Sequence, residues 1–223
     1  MTYFPDNTAC LRKAEKGKEM KKIPTLFERM YENHKVVGIT DTVYRGMEWV
    51  MDGEGVATIK FDGSCCAIID GKFYKRYDAK KGKKPPANAI PCCDPDPVTG
   101  HWPHWVPVDW ESAGDKWFVE AYKKRQEFAK LSEMVQLNDG TYEAIGAHFQ
   151  GNPYNLNFDV IIPHGQDIVD VPRTFDGIRD WLAENNVEGI VFWKDGKPQC
   201  KIKRKDFGFE WPERKDNAQK EVL

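Results

Sequence analysis

The chain has no apolar run long enough to cross a bilayer, which excludes a membrane-spanning helix. Its first residues, Met1-Thr2-Tyr3-Phe4-Pro5-Asp6, lack the basic-then-apolar order of a secretory signal, so the cytoplasm is the expected compartment. It has no Cys-x-x-Cys spacing, which excludes the common structural zinc sites. The six cysteines are two adjacent pairs, Cys65-Cys66 and Cys92-Cys93, with Cys10 and Cys200 apart from them. Reduced thiols in a cytosolic protein are the preferred reading, with Cys92-Cys93, His101 and His104 as an irregular metal set beside it. No charge of one sign dominates: the formal net charge is −2, so overall charge does not advertise nucleic-acid binding. Positive charge is nevertheless bunched from Lys13 to Lys22, Lys72 to Lys84 and Lys201 to Lys205, runs that read first as solvated surface. No internal repeat or low-complexity tract is visible, which excludes a repeat architecture.

What is present is a globular composition: 223 residues, 40% hydrophobic, 30% charged and 13% aromatic, enough to bury a substantial core. Residues 56–61 read as a strand entered through the turn Asp52-Gly53-Glu54-Gly55. Cys65–Ile69 and Lys72–Tyr77 flank Asp70-Gly71, the strongest short hairpin signal in the chain. From about Lys80 to Trp110 the sequence is rich in proline, with Trp102, Trp105 and Trp110 among the prolines, and reads as a loop-like packed insertion or a substrate-facing element. Helical spacing of Trp117, Phe118, Ala121, Tyr122, Arg125, Phe128 and Ala129 predicts a helix over Asp115–Ser132 with its aromatic stripe in the core. Thr141–Gly146 and Phe158–Ile162 read as strands. A second helix is predicted over Phe175–Glu184 with Thr174 as N-cap. A second hairpin joins Val187–Trp193 to Gln199–Lys203 through Asp195-Gly196, so Lys194-Asp195-Gly196 is explained as a turn. Strands outnumber helices and are joined by tight hairpins, which predicts an α+β fold with mainly antiparallel sheets and flanking helices.

The chemistry-bearing stretch is Lys60-Phe61-Asp62-Gly63. Alternation puts Lys60 and Asp62 on one strand face, and Gly63 would let the backbone come close to a ligand. A protonated lysine is a poor nucleophile, and burial, neighbouring cations or a metal are needed to free its lone pair. Downstream, Glu143 and Glu188 are acids beside glycine-flanked strands, Lys201 and Lys203 share one strand face, and Arg76 lies on the hairpin after Lys60. Nucleotidyl transfer needs these parts together: a lysine to attack an α-phosphate, cations for the developing charge, and a carboxylate for a divalent metal. Taken singly each has a plainer explanation. Lys60 can be a surface lysine, the two acids can be edge-strand charges, and His101, His104, His148 and His164 read as structural or exposed.

In this order the residues resemble the motifs of the covalent nucleotidyltransferases, which comprise ATP-dependent RNA ligases, DNA ligases and capping guanylyltransferases. Lys60-Phe61-Asp62-Gly63 is similar to motif I, Tyr142–Gly146 to motif III, Val187–Phe192 to motif IV and Lys201-Ile202-Lys203 to motif V. A narrower resemblance, to the small RNA ligase family typified by vertebrate RNA ligase 1, is carried by Lys60–Cys66, Gly100–Val108, Gly151-Asn152-Pro153-Tyr154, Ile162-Pro163-His164-Gly165 and Gly208–Pro212. It covers about Gly55 to Pro212, and that many short motifs in one order do not arise by chance.

The resemblance implies a ligase-type adenylation domain over 23–223, preceded by a polar lead-in over 1–22 and carrying the Pro- and Trp-rich insertion at about 80–112. The chain closes shortly after Trp211-Pro212, so no C-terminal OB domain is expected. It implies that Lys60 becomes covalently joined to AMP. Ile59, Asp62, Gly63, Arg76, Glu143, Phe158, Lys201 and Lys203 would bind the nucleotide, with Glu143 on the ribose, Phe158 on the base and the two lysines on the phosphates. Glu188 would hold Mg2+ (or Mn2+), with ATP as co-substrate and RNA carrying 5′-phosphate and 3′-hydroxyl ends as partner. The insertion's tryptophans are candidates for stacking on unpaired bases, with a core role as the plainer reading. Alternatives at this point are a minimal DNA ligase, a capping-type guanylyltransferase, and a catalytically silent RNA-binding module.

Overall fold

A computed structural model describes residues 19–80, 82–132 and 137–212. The lead-in up to residue 18, with Cys10 and the short surface helix it could form, lies outside the described residues. The chain divides into two compact units, Asp62–His164 with the described residues up to Lys22, and Ile23–Phe61 with the residues from Gly165 onward. Both are α+β, and every pairing of named strands is antiparallel. Among the described residues no helix is long and apolar enough to cross a membrane.

The second unit begins with a two-stranded ribbon, β1 (Phe27–Glu32) and β2 (Lys35–Val43). This hairpin is not among the elements expected from the sequence. Its turn, Asn33-His34, has no glycine, yet both residues take positive φ, 48° and 62°, a conformation Asn and His enter more readily than most residues. The unit's main sheet has the order β10-β3-β11-β12, from β3 (Val56–Lys60), β10 (Ile168–Val169), β11 (Gly189–Lys194) and β12 (Lys197–Lys203). Residues of alternate parity separate cleanly. Ala57, Ile190, Phe192, Cys200 and Ile202 join the core with Ile178 and Leu182 of a helix, while Thr58, Lys60, Lys201 and Lys203 belong to the other face. That helix spans Phe175–Glu184 as predicted, and Thr174 Oγ1 accepts the Gly177 N–H at 3.0 Å. At its other end the buried Arg204 guanidinium donates to the Leu182 and Asn185 carbonyls, closing orphan acceptors of the last turn.

The first unit is a six-stranded sheet of order β6-β7-β5-β4-β8-β9. The strands are β4 (Ser64–Ile69), β5 (Lys72–Ala79), β6 (Ile90–Pro91), β7 (Trp102–Pro107), β8 (Gly140–Gly146) and β9 (Asp159–Pro163). A helix, Lys116–Leu131, covers one face through Val119 and Ala121 against Cys66, Phe73, Tyr142, Ala144 and Ile161. It starts one residue after the predicted Asp115, whose carboxylate is spent on Lys75 Nζ and on the Asp109 N–H rather than on a cap. The loop-like reading of 80–110 is corrected here, because Trp102–Pro107 is a strand paired along its length with β5. Prolines 103 and 107 are tolerated because the neighbour beyond is only the two-residue β6. Within this stretch Trp105 is fully buried, Trp102 donates its indole N–H to Cys93 O at 2.7 Å, and Trp110 is half exposed.

Candidate nucleotide-handling site

The structure sorts the anticipated residues into two clusters, one in each unit. In the second unit, register sets the geometry: Lys60 on β3 and Lys203 on β12 both lie opposite Gly189 of β11, forming one row across three strands. A Cβ on Gly189 would come within 2.2 Å of the Ile202 carbonyl oxygen, so glycine is required here for strand approach rather than to admit a ligand. Glu188, immediately before β11, is buried. One carboxylate oxygen accepts Lys60 Nζ at 2.5 Å and the other accepts Lys203 Nζ at 2.5 Å. Lys201 completes the group, sharing its face with Lys203. Burial, then the charges of Lys60, Lys203 and Arg29, push its pKa down to about 8, against an opposing pull from Glu188. Ile59, opposite Ile190, has the parity of the core face, away from the lysines. Arg29 and Asp206 were not anticipated. Asp206 accepts the Lys203 backbone N–H at 2.9 Å, and its other oxygen lies 3.7 Å from Arg29 Nη2.

In the first unit the centre is Glu143 on β8. It accepts the Gly63 N–H at 3.1 Å on one oxygen and contacts His164 Nε2 at 2.9 Å on the other. His164 is oriented through Nδ1, 3.0 Å from Thr141 Oγ1. Gly63 is hemmed in by protein: a Cβ there would meet the Ala144 carbonyl oxygen at 2.2 Å. The Asp62 N–H donates to the Tyr154 hydroxyl at 2.6 Å. His164 and Tyr154 complete this cluster. Both lie in stretches that carried the narrower resemblance, yet His164 read as structural and Tyr154 had no assigned role.

Glu143 and Arg76 belong to one row. Cys65 pairs with Glu143, the next pair along, Cys66 with Lys75, sets Cys65 beside Arg76, and Arg76 pairs with Trp105. The Cys65 thiol, between a carboxylate and a guanidinium, is pushed far up by burial. Burial works against the Arg76 charge, but the bond from Nε to Asp78 Oδ1 at 2.8 Å and the neighbouring thiols raise its pKa. Phe158 is placed differently. Its ring meets Phe128 edge-on at 5.9 Å and Lys124 Nζ at 5.7 Å, beside the helix, whereas Glu143 has the parity of the opposite sheet face. Among the described residues no group of three or more His, Cys, Asp or Glu side chains could hold a metal ion, so Cys92, Cys93, His101 and His104 form no such set.

A divalent cation can be tested against the donor set at Glu188. Glu188 makes no all-protein cage and both its oxygens are bonded to lysines, so it fits Mg2+ only as the one carboxylate of a shell otherwise filled by phosphate oxygens and water, with the lysines turned to the phosphates.

Comparison with known proteins identifies the lineage. A family model described as RNA ligase 1 matches residues 86–222, a span that takes in Glu143, Glu188, Lys201 and Lys203. Relatives named RNA ligase 1 occur in Danio rerio (30% identical, 51% of this chain and 42% of the relative) and Pongo abelii (27%, 70% and 68%). A third, from Rattus norvegicus, is 25% identical over 88% of this chain and 83% of its own. The alignment thus spans under half of the Danio rerio protein and most of the Rattus norvegicus one. With the family model covering more than half of its residues, the chain belongs to the RNA ligase 1 family.

Proposed function

We propose that the chain is an ATP-dependent RNA ligase that joins a 5′-phosphate to a 3′-hydroxyl through a lysyl-AMP intermediate on Lys60. The observation that carries this reading is the row Lys60–Gly189–Lys203 with Glu188 bonded to both lysines and Lys201 beside them. A nucleophile candidate, two further cations and one buried carboxylate share one sheet face, which is the minimum that phosphoryl electrostatics requires. RNA is favoured over DNA as the polymer by the names of the relatives.

In the first step Lys60 Nζ forms a bond to the α-phosphorus as the bond from that phosphorus to pyrophosphate oxygen breaks. The proton that Lys60 must lose has Glu188 as an acceptor within hydrogen-bond reach. AMP then passes to the RNA 5′-phosphate, and the 3′-hydroxyl displaces it. Lys201 and Lys203 offset the charge that develops on the phosphate oxygens. Glu188 would hold Mg2+, which when bound supplies Lewis-acid neutralisation of those oxygens. Glu143, fixed by Gly63 and His164, takes the ribose role that the resemblance implies.

Intact-mass measurement after incubation with ATP and Mg2+ tests the first step. An adenylyl adduct is expected, absent from Lys60→Ala. No adduct, or a guanylyl adduct formed from GTP instead, would overturn the reading. End-labelled RNA and DNA carrying 5′-phosphates then test the polymer, with RNA expected to be sealed in preference.

A further inference from the structure

The Lys60 cluster holds more positive charge than its own carboxylates balance. Lys60, Lys201, Lys203 and Arg29 face Glu188 and Asp206, so four cations meet two carboxylates. Arg29 is the member that the motif resemblance does not assign. Its position follows from the strand edge. Pro24 and Leu26 bond to Lys201 along the outer side of β12, with Thr25 and Lys201 in parallel register. The parallel direction then carries β1 along β12 toward Asp206.

Lys60 and Lys203 thus share a row across β11, Lys201 shares the Lys203 face, and Arg29, carried past the edge of β12, acts on Lys201. Arg29 is poorly spent on the protein. Its contact with Asp206 is 3.7 Å, longer than a hydrogen bond, and its Nε is buried with no acceptor. A cation whose charge bears on Lys201 costs folding free energy, and an anion is what would offset it. The same crowding contributes to the low pKa of Lys201.

We propose that Arg29 binds the terminal phosphates of the nucleoside triphosphate and the pyrophosphate released from it. This rests on the adenylylation reading for its place in the reaction. With the α-phosphorus at Lys60 and the phosphates running past Lys203 and Lys201, Arg29 is the next cation in that direction. As the Lys60 Nζ–phosphorus bond forms, the bond from that phosphorus to the α–β bridging oxygen breaks, the electron pair leaves on that oxygen of pyrophosphate, and the guanidinium holds the leaving group by its far phosphate. A planar guanidinium with free donors is suited to such a group.

Calorimetric titration of the chain with inorganic pyrophosphate, with and without Mg2+, reads the site without any catalysis. Arg29→Met is expected to weaken pyrophosphate binding by about 10- to 100-fold, the scale of lost charge-assisted hydrogen bonds, and Arg29→Lys to restore part of it. Asp206→Asn keeps an acceptor for the Lys203 N–H while removing the competing carboxylate, and is expected to tighten binding. In the reaction, Arg29→Met should raise the ATP concentration needed for adduct formation, yet seal pre-adenylylated RNA at the wild-type rate. Unchanged pyrophosphate affinity in Arg29→Met, or equal losses in Arg29→Met and Asp206→Asn, overturns the proposal, as does an equal loss in sealing pre-adenylylated RNA. If the wild type binds pyrophosphate through Arg29 but forms no adduct, the adenylylation reading fails while the phosphate site stands.

Discussion

The two clusters each centre on one carboxylate, and they hold it by different physics. Glu143 is fixed by a backbone N–H and a single imidazole that is itself oriented by Thr141. Glu188 is fixed by two ammonium groups at the ends of flexible stems, with a third lysine and an arginine crowding the same face. The first arrangement is local and built on short-range hydrogen bonds, so the side chain can serve as a fixed acceptor for a ligand hydroxyl. The second is a charge-rich balance that an incoming anion redistributes, because each ammonium can exchange a carboxylate oxygen for a phosphate oxygen. A fixed hydrogen-bond geometry is held in one unit and a responsive cluster of charge in the other.

Removing each carboxylate is the strongest way to break this comparison. Glu188→Ala leaves three lysines and Arg29 with only Asp206 among them, and is expected to cost about 2–4 kcal/mol, below the range for wholly buried pairs because the lysines keep some contact with water. Added sulfate or pyrophosphate should return much of that loss. Glu143→Ala is expected to cost less and to show no recovery with anions. Thermal midpoints of both variants over a salt series decide it, and equal salt responses would mean that the clusters do not differ in kind.

The pH dependence of stability sharpens the second cluster further. The Lys201 pKa is about 8 in the folded chain against an ordinary 10.5. Between these values the unfolded chain holds a proton that the folded chain has released, so this group makes stability rise with pH across that window. Below about 8 both forms are protonated and the group adds no slope, and above the ordinary value both are neutral. Lys201→Met should flatten the rise, a difference on the order of 2 kcal/mol across the window, measured by denaturant titration at several pH values. A slope unchanged by the substitution would show that Lys201 keeps its proton and that the crowding is relieved by another route.

How much of this could be read from the chain depended on whether a contact is local. Asp70-Gly71 and Asp195-Gly196 announce their hairpins, whereas Asn33-His34 makes the same kind of turn without glycine, and β7 hides among prolines tolerated because its far neighbour is only two residues long. Alternation alone put Lys201 and Lys203 on one face. Lys60 joining them follows from the register of β3 and β12 on β11, which no single segment encodes. Gly63 and Gly189 were legible as special positions, but what they approach is the Ala144 and Ile202 backbone. His164, Tyr154 and Arg29 acquire their roles only through contacts between segments far apart in sequence, where periodicity carries no signal.

His164 gives the smallest effect and the finest test of the comparison. In His164→Ala the second oxygen of Glu143 and the Thr141 hydroxyl each lose a partner, a loss of about 1 kcal/mol if both then bond to water. Gln at this position has an amide that can donate to Glu143, so His164→Gln should recover part of the deficit. The informative variable is again salt. A contact held mainly as a short-range hydrogen bond is little screened, so the deficit of His164→Ala should be the same at low and high ionic strength. If that deficit shrinks as salt rises, the imidazole is acting as a cation, Glu143 sits in an ion pair of its own, and both clusters are versions of one electrostatic device.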